Sequence, residues 1–225
     1  MSDFKPAREP IFNFSEKAPV LLAGFLILAY AIDSFAPGGL QTLFRQWGLL
    51  AAVDGSVNID RGGVPAAASL LFHGLLHGDW GHVLVNSFMI AVFGVVVVKA
   101  GRLSGPGDWR GPARFLVIFA LSVIAGGLTQ WAYWIILSDT GSAVGASGGA
   151  SGLFAAMAWV SGGKERLLKF GVGWAALNLI LVVAGNTGIM PNQIAWAAHM
   201  GGYVGGAILA IVMLRPGTTP FEITR

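Results

Sequence analysis

The sequence predicts an all-α membrane protein, a bundle of six transmembrane helices whose fourth helix is short and central. Two features of composition predict this class: 55% of the 225 residues are hydrophobic and only 11% are charged, against about a quarter in soluble domains. The third feature is that the 33 glycines lie largely inside apolar stretches rather than in polar linkers. Together these features exclude a water-soluble domain, a collagen-like chain and a disordered chain.

Six stretches are apolar enough to cross a bilayer, which takes about 20 helical residues. The first starts at Pro19 and ends before Pro37, because proline is favoured in the first turn of a helix and cannot continue one. The fourth is the shortest and the richest in glycine, which favours a position surrounded by other helices. The predicted spans are residues 19–35, 81–98, 115–136, 145–160, 167–184 and 194–214.

The predicted membrane domain, residues 18–214, is flanked by an N-terminal arm, residues 1–17, and a tail, residues 215–225. The first apolar segment has no obvious small-residue cleavage site, so we expect it to be retained. Residues 37–66 form a long first loop. Within this loop, the amphipathic segment 40–50 is expected in the membrane interface, where tryptophans such as Trp47 are favoured.

The basic residues predict the orientation of the chain. All 14 of them except Arg45 and Arg61 lie in the N-terminal arm, in the loops after spans two and four, or in the tail. Because Lys and Arg accumulate on the cytoplasmic side, we expect cytoplasmic termini and an outward-facing first loop in a bacterial inner membrane. Their scatter argues against a nucleic-acid partner. The chain has no cysteine, which excludes disulfides and thiolate metal sites.

A run of only Gly, Ala and Ser, residues 145–152, opens the fourth span. Small residues let membrane helices approach backbone to backbone, so packing alone could account for the run. Its two hydroxyls, those of Ser147 and Ser151, lie one helical turn apart. A serine hydroxyl at this position is also a candidate nucleophile if a base lies beside it.

The histidines are candidates for function because ionisable groups at membrane depth are rare. His82 and Asn86 are four residues apart near the start of span two, as are His73 and His77 just before it, so each pair can share one helix face. The chain has no His-Glu-x-x-His motif, which disfavours a zinc protease. Hydrogen bonds that hold the preceding loop remain the alternative for His73 and His77.

His199 stands alone in span six, with glycines three and seven residues after it on its own helix face. A lone buried histidine is often a satisfied core residue, but these glycines allow another backbone to come close to the imidazole. At 1.5 Å per residue, Ser147, His199, His82 and Asn86 all fall within roughly 10 Å of the outer surface. One layer thus holds the nucleophile, base and donors that acyl transfer needs.

Three motifs resemble those of the rhomboid family of intramembrane serine proteases, and the resemblance covers roughly residues 19–214. The segment Gly145-Ala146-Ser147-Gly148 resembles the Gly-x-Ser-Gly motif of the family, which implies Ser147 as the nucleophile. The segment Ala198-His199, with Gly202 and Gly206, resembles its Ala-His-x-x-Gly-x-x-x-Gly helix, which implies His199 as the base.

The third motif begins just before span two and continues into it, where His73, His77, His82 and Asn86 match the second-span pattern of the family. The resemblance implies His82 and Asn86 as oxyanion-hole donors, beside the backbone N–H of Ser147. It also implies a Ser–His dyad without a third carboxylate. We expect no metal and no cofactor. His73, His77 and the motif glycines would then have supporting roles.

Two positions depart from the pattern of the family. A Trp-Arg pair is common in its first loop, where this chain has Arg45-Gln46-Trp47. The position four residues after the nucleophile is often aromatic and packs against the base, whereas here it is Ser151. This serine creates a second Gly-Ala-Ser-Gly segment. We expect Ser147 to be the nucleophile because it lies nearer the outer surface and water.

The resemblance implies an intramembrane serine endopeptidase that cuts transmembrane proteins near the outer face of the membrane. Its partners would be these substrates and the lipid bilayer. Two other functions stay open at this point. An inactive rhomboid-like protein that binds membrane helices would be expected to lack the nucleophile or the base. A small transporter would need a polar pathway across the membrane, whereas the polar residues here cluster at one depth.

Overall fold

The computed structural model describes residues 16–58, 60, 62–187 and 194–217. Most of the predicted N-terminal arm, the end of the tail from residue 218 and most of the loop before the last span lie outside the described residues. The described chain is mostly helical. It contains five helices long and apolar enough to cross a membrane, which agrees with the predicted class of membrane protein.

Seven α-helices and two short strands form the fold of the described residues. The helices are α1 Lys17–Phe35, α2 Gly38–Gly48, α3 Ser69–Phe72, α4 Trp80–Gly101, α5 Arg110–Leu137, α6 Ser147–Asn186 and α7 Trp196–Met213. Short 3-10 turns, Ala66–Ala68 and His73–Leu75, flank α3. The strands are β1 Leu50–Ala52 and β2 Gly141–Ala143, which pair antiparallel with Leu50 opposite Ala143.

The two strands were not predicted, because three residues are too few to show an alternating pattern. Leu50 is fully buried and packs with Trp131 and Trp134 of α5. The pairing of β1 with β2 ties the first loop to the segment that leads into α6. Trp47 of the first loop packs edge to face on Phe72 of α3, with the ring centroids 5.8 Å apart. The first loop is therefore held against the rest of the protein.

The largest difference from the predicted spans concerns α6, which covers predicted spans four and five in one element of 40 residues. Its backbone leaves helical geometry at Gly162 and Gly163. The φ of Gly163 is 58°, in the left-handed region that glycine adopts without steric cost. This glycine pair divides α6 into a first arm, residues 147–161, and a second arm, residues 164–186.

The two arms fold back on one another at this bend. Ser147 of the first arm and Asn178 of the second would lie more than about 40 Å apart along a straight helix, yet both contact the imidazole of His199 on α7. The first arm is largely buried and α6 contacts α4, α5 and α7. The second arm is more peripheral, and its Leu179 is 65% exposed.

Several contacts join the chain at the end of the bundle that contains the α6 bend. The α4 helix runs alongside the first arm in the same direction, since His82 near its start borders Gly145 and Phe93 further along packs on Phe154, with the ring centroids 5.1 Å apart. The guanidinium of Arg102, just after α4, forms an ion pair of 2.6 Å with Glu16, just before α1. The N–H of Gly217, after α7, donates to the carbonyl of Val160 beside the bend, at 2.7 Å.

Candidate active site

Ser147 is the first residue of α6, and two histidine residues hold the turn before it. The N–H of Gly145 donates to the backbone carbonyl of His73 at 2.8 Å, and the N–H of Ala146 donates to Nε2 of His77 at 3.4 Å. Gly145 has a φ of 125°, a conformation that residues with a Cβ rarely adopt. The turn therefore needs glycine at this position, and it presents the Ser147 hydroxyl at a helix N-terminus.

The structure brings Ser147 and His199 together. Nε2 of His199 lies 2.9 Å from Oγ of Ser147, within the range of an O–H···N hydrogen bond. The two residues are 52 positions apart in the sequence and belong to different helices. The pair has the nucleophile-to-base arrangement of covalent catalysis.

Close contact between the backbones of α6 and α7 produces this arrangement. A Cβ added to Gly202 would overlap the carbonyl group of Gly148, and a Cβ added to Gly206 would overlap the backbone of Gly152. The absence of side chains at these positions lets the first arm and α7 touch backbone to backbone, as small residues do in membrane helices. Any larger residue here would push Ser147 away from the base.

Ser151 lies one turn further along the first arm and is fully buried. Its hydroxyl donates to the carbonyl of Ser147 at 2.7 Å, which is a common use of serine in an apolar helix. The imidazole of His199 is hydrogen bonded to Ser147 and Asn178 instead. The hydroxyl of Ser151 is therefore engaged by the helix, away from the base.

His82 and Asn86 share one face of α4 and border the backbone of Gly145. A Cβ built on Gly145 would lie 2.6 Å from Nε2 of His82 and 3.5 Å from Nδ2 of Asn86. Asn86 is 2% exposed, and within the described part of the chain its Nδ2 has no hydrogen-bond partner. A buried donor without a partner costs about 1–3 kcal/mol. This group is consequently free to donate to a bound molecule.

The prediction that His73 and His77 share one helix face is wrong. The helical segment ends with the turn His73–Leu75, and the following residue, Leu76, has an extended backbone. A new helix then starts at Trp80, because the carboxylate of Asp79 caps it by accepting from the N–H of His82 at 2.8 Å. Both histidines nevertheless hold the turn before Ser147, His73 through its carbonyl and His77 through Nε2. Nδ1 of His73 is itself bonded to the carbonyl of Ser69 at 2.8 Å.

Asn178, in the second arm, was missed in the sequence. Its Oδ1 lies 2.7 Å from Nδ1 of His199, and its Nδ2 donates to the carbonyl of Trp174 at 2.9 Å. The ring of Trp174 also packs near the imidazole, with centroids 6.0 Å apart. The available signal was a single amide within the apolar stretch of span five, where polar residues are rare.

The apolar helices define an integral membrane protein. The chain belongs to the rhomboid family, because the model of the Rhomboid domain matches residues 66–216. Similar proteins occur in mycobacteria, and their names describe them only as uncharacterized proteins. One from Mycobacterium tuberculosis and one from Mycobacterium bovis are each 29% identical over 162 residues, which cover 65% of this chain. One from Mycobacterium leprae is 26% identical over 159 residues, 64% of this chain.

The matched region spans 59% of the length of the first two relatives and 55% of the third. The Rhomboid domain suggests a family of intramembrane proteases.

Proposed function

We propose that the protein is an intramembrane serine endopeptidase with Ser147 as nucleophile and His199 as general base. The observation that carries the proposal is the 2.9 Å contact between Oγ of Ser147 and Nε2 of His199. As Oγ attacks the carbonyl carbon of the scissile bond, its proton passes to Nε2. The imidazolium then protonates the leaving amine, and a water molecule activated by the same base hydrolyses the acyl-enzyme.

Asn86 and His82 are proposed to stabilise the oxyanion of the tetrahedral intermediate, together with the backbone N–H of Ser147. Support comes from the position of both side chains against Gly145, two residues before the nucleophile. The unpartnered Nδ2 of Asn86 supports the same role, because a donor that waits for developing charge needs no reorganisation when the charge forms. The first N–H groups of a helix likewise lack intrahelical partners.

Replacing Asn86 by leucine should separate this role from a structural one. We expect Asn86→Leu to lower kcat about 10²- to 10³-fold, the usual effect of losing one oxyanion donor. The melting temperature should stay the same or rise, because the substitution removes a buried donor that has no partner. Cleavage kinetics and thermal unfolding of the purified protein measure the two effects.

The control for this experiment is Ser87→Ala, on the next residue of α4. The Ser87 hydroxyl donates to the carbonyl of Ala23 on α1 at 3.2 Å, so its loss should reduce stability by about 0.5–1.5 kcal/mol and leave kcat close to wild type. An Asn86→Leu protein with unchanged kcat would contradict the proposed role of Asn86.

We also propose that the two arms of α6 cross the membrane separately, which makes six spans with cytoplasmic termini. Two contacts support this arrangement. The ion pair of Arg102 with Glu16 joins the end of α4 to the start of α1, and the hydrogen bond from Gly217 to Val160 joins the end of α7 to the α6 bend. These segments lie at one end of the bundle. Basic residues cluster near the same segments, as expected of a cytoplasmic side. The catalytic pair would then lie near the outer face, in a bacterial inner membrane.

The proposed substrates are membrane proteins cleaved in or near a transmembrane segment. A serine hydroxyl can attack only an accessible peptide carbonyl, whereas in a helix the carbonyl is hydrogen bonded to a later N–H. The substrate helix must therefore unwind locally at the site. Glycine and other poor helix formers near the scissile bond would favour this unwinding.

The proposal is tested with the protein reconstituted in liposomes and offered single-span model substrates. We expect cleavage of the substrate and covalent labelling by a fluorophosphonate, with both lost in His199→Ala. A membrane-impermeant probe added to intact cells should also label the protein, because the site faces outward. The control is Ser161→Ala, whose hydroxyl bonds only within the first arm. Absence of both cleavage and labelling in the wild type would overturn the proposal.

A further inference from the structure

Asn178 is a buried amide in the stretch 170–185 of the second arm of α6, whose other residues are apolar or glycine. The side chain is 2% exposed, whereas its neighbours Leu177 and Leu179 are 42% and 65% exposed. A polar side chain in such a helix faces the protein interior and needs a partner there. Its partner is Nδ1 of His199, at 2.7 Å from Oδ1.

The hydrogen bonds of Asn178 determine which atoms face each other. The carbonyl of Trp174 can only accept, so the group directed at it, 2.9 Å away, is the amide nitrogen Nδ2. The amide oxygen therefore faces the imidazole of His199. Because this oxygen can only accept, Nδ1 must carry the proton, and Nε2 is left as the acceptor for the Ser147 hydroxyl.

We infer that Asn178 is a positioning residue, which holds His199 in the orientation and tautomer that can take the proton of Ser147. This inference rests on the proposed function and extends the dyad to a Ser–His–Asn chain. The amide acts through His199 and does not touch the substrate. An amide also suits a site within a membrane, because it fixes the proton on Nδ1 without placing an unpaired carboxylate in a medium of low dielectric constant.

Two features of the first arm explain why the base needs support from the second arm. Ser151 follows the nucleophile by one turn and is too small to pack against the imidazole. Its hydroxyl is already bonded to the carbonyl of Ser147. The aromatic contact of His199 comes from Trp174 instead, one turn before Asn178. The second arm thus supplies both the ring and the acceptor that orient the base.

The test compares Asn178→Leu, which keeps the approximate size of the side chain but cannot accept, with Asn178→Asp, which can. We expect the leucine variant to lose about 10- to 100-fold in the rate of fluorophosphonate labelling, because a base in the wrong orientation or tautomer is inactive for part of the time. The aspartate variant should label within about 10-fold of wild type, because a carboxylate accepts from Nδ1–H as well.

The tautomer is read directly from nitrogen NMR of protein labelled with ¹⁵N-histidine, with the His199 signals assigned by their loss in His199→Gln. Wild type should show a protonated Nδ1 and an unprotonated Nε2, and Asn178→Leu should show a mixture of tautomers. Leu179→Ala, at an exposed position of the same arm, is the control and should match wild type in labelling and melting temperature.

Three results would overturn the inference: an unchanged tautomer in Asn178→Leu, labelling of that variant within about 3-fold of wild type, or equal defects in the leucine and aspartate variants. The last result would mean that an acceptor at this position is not what orients the base. Failure of the proposed function is a different result, since wild type itself would then show neither labelling nor cleavage.

Discussion

Ser147→Ala should abolish substrate cleavage and fluorophosphonate labelling, a loss of at least about 10³-fold that reaches the detection limit of either assay. The reason is that Oγ of Ser147 is the atom hydrogen bonded to Nε2 of His199, whereas the neighbouring Ser151 hydroxyl donates to a helix carbonyl. The fold should be retained, because Ser147 is only partly buried and alanine is a good helix former. A melting curve of the variant checks this point.

Ser151→Ala is the matched control, since both serines occur in a Gly-Ala-Ser-Gly segment of the same arm. The Ser151 hydroxyl bonds to the carbonyl of Ser147, so its removal should leave labelling within about 3-fold of wild type. If Ser147→Ala retained proteolysis and Ser151→Ala lost it, the assignment of the nucleophile would be reversed.

Gly202→Val should be the most damaging substitution outside the catalytic groups. The new Cβ would overlap the carbonyl of Gly148, and neither backbone can move without displacing its whole helix. Overpacking of a tight core costs about 1–3 kcal/mol even when side chains can rearrange, so we expect a loss at or above this range. The melting temperature should fall, and labelling of Ser147 should be lost as α7 carries His199 away.

Gly173→Ala provides the comparison for this substitution. Gly173 lies in the second arm of α6, and a Cβ added there meets no atom within 4 Å. Replacing glycine by alanine in an open helical position raises stability by up to about 1 kcal/mol. A Gly202→Val protein with the same melting temperature as wild type would show that the two helices are not held by this backbone contact.

The site was predictable where its residues repeat at helical spacing. His82 and Asn86 are four residues apart and lie on one face of α4, and the glycines after His199 mark the face of α7 that meets the first arm. The common depth of these residues in the membrane rests on counting residues along apolar stretches and stays a prediction. These relations are local and need no knowledge of which helix packs against which.

Asn178 could not be assigned to the site in the same way, because its role depends on the fold-back of α6 at Gly162 and Gly163. A sequence gives the position of a bend more readily than the direction of the chain after it. The pairing of β1 with β2 was missed for a similar reason, since it joins segments far apart in the chain. The helix break after His73 depends on a cap, that of Asp79 on α4, which a spacing of four residues does not reveal.

The backbone contact of the first arm with α7 also affects how the protein responds to its bilayer. Membranes of different thickness are matched by tilting or displacing helices, at a cost of fractions of a kcal/mol per Å. Where Gly148 touches Gly202 and Gly152 touches Gly206, the two helices have no side chains between them that could change rotamer as they slide. We therefore expect adjustment to fall on peripheral elements such as α1, in which only a few residues are buried. The register of the two central helices would stay constant as the bilayer thins or thickens.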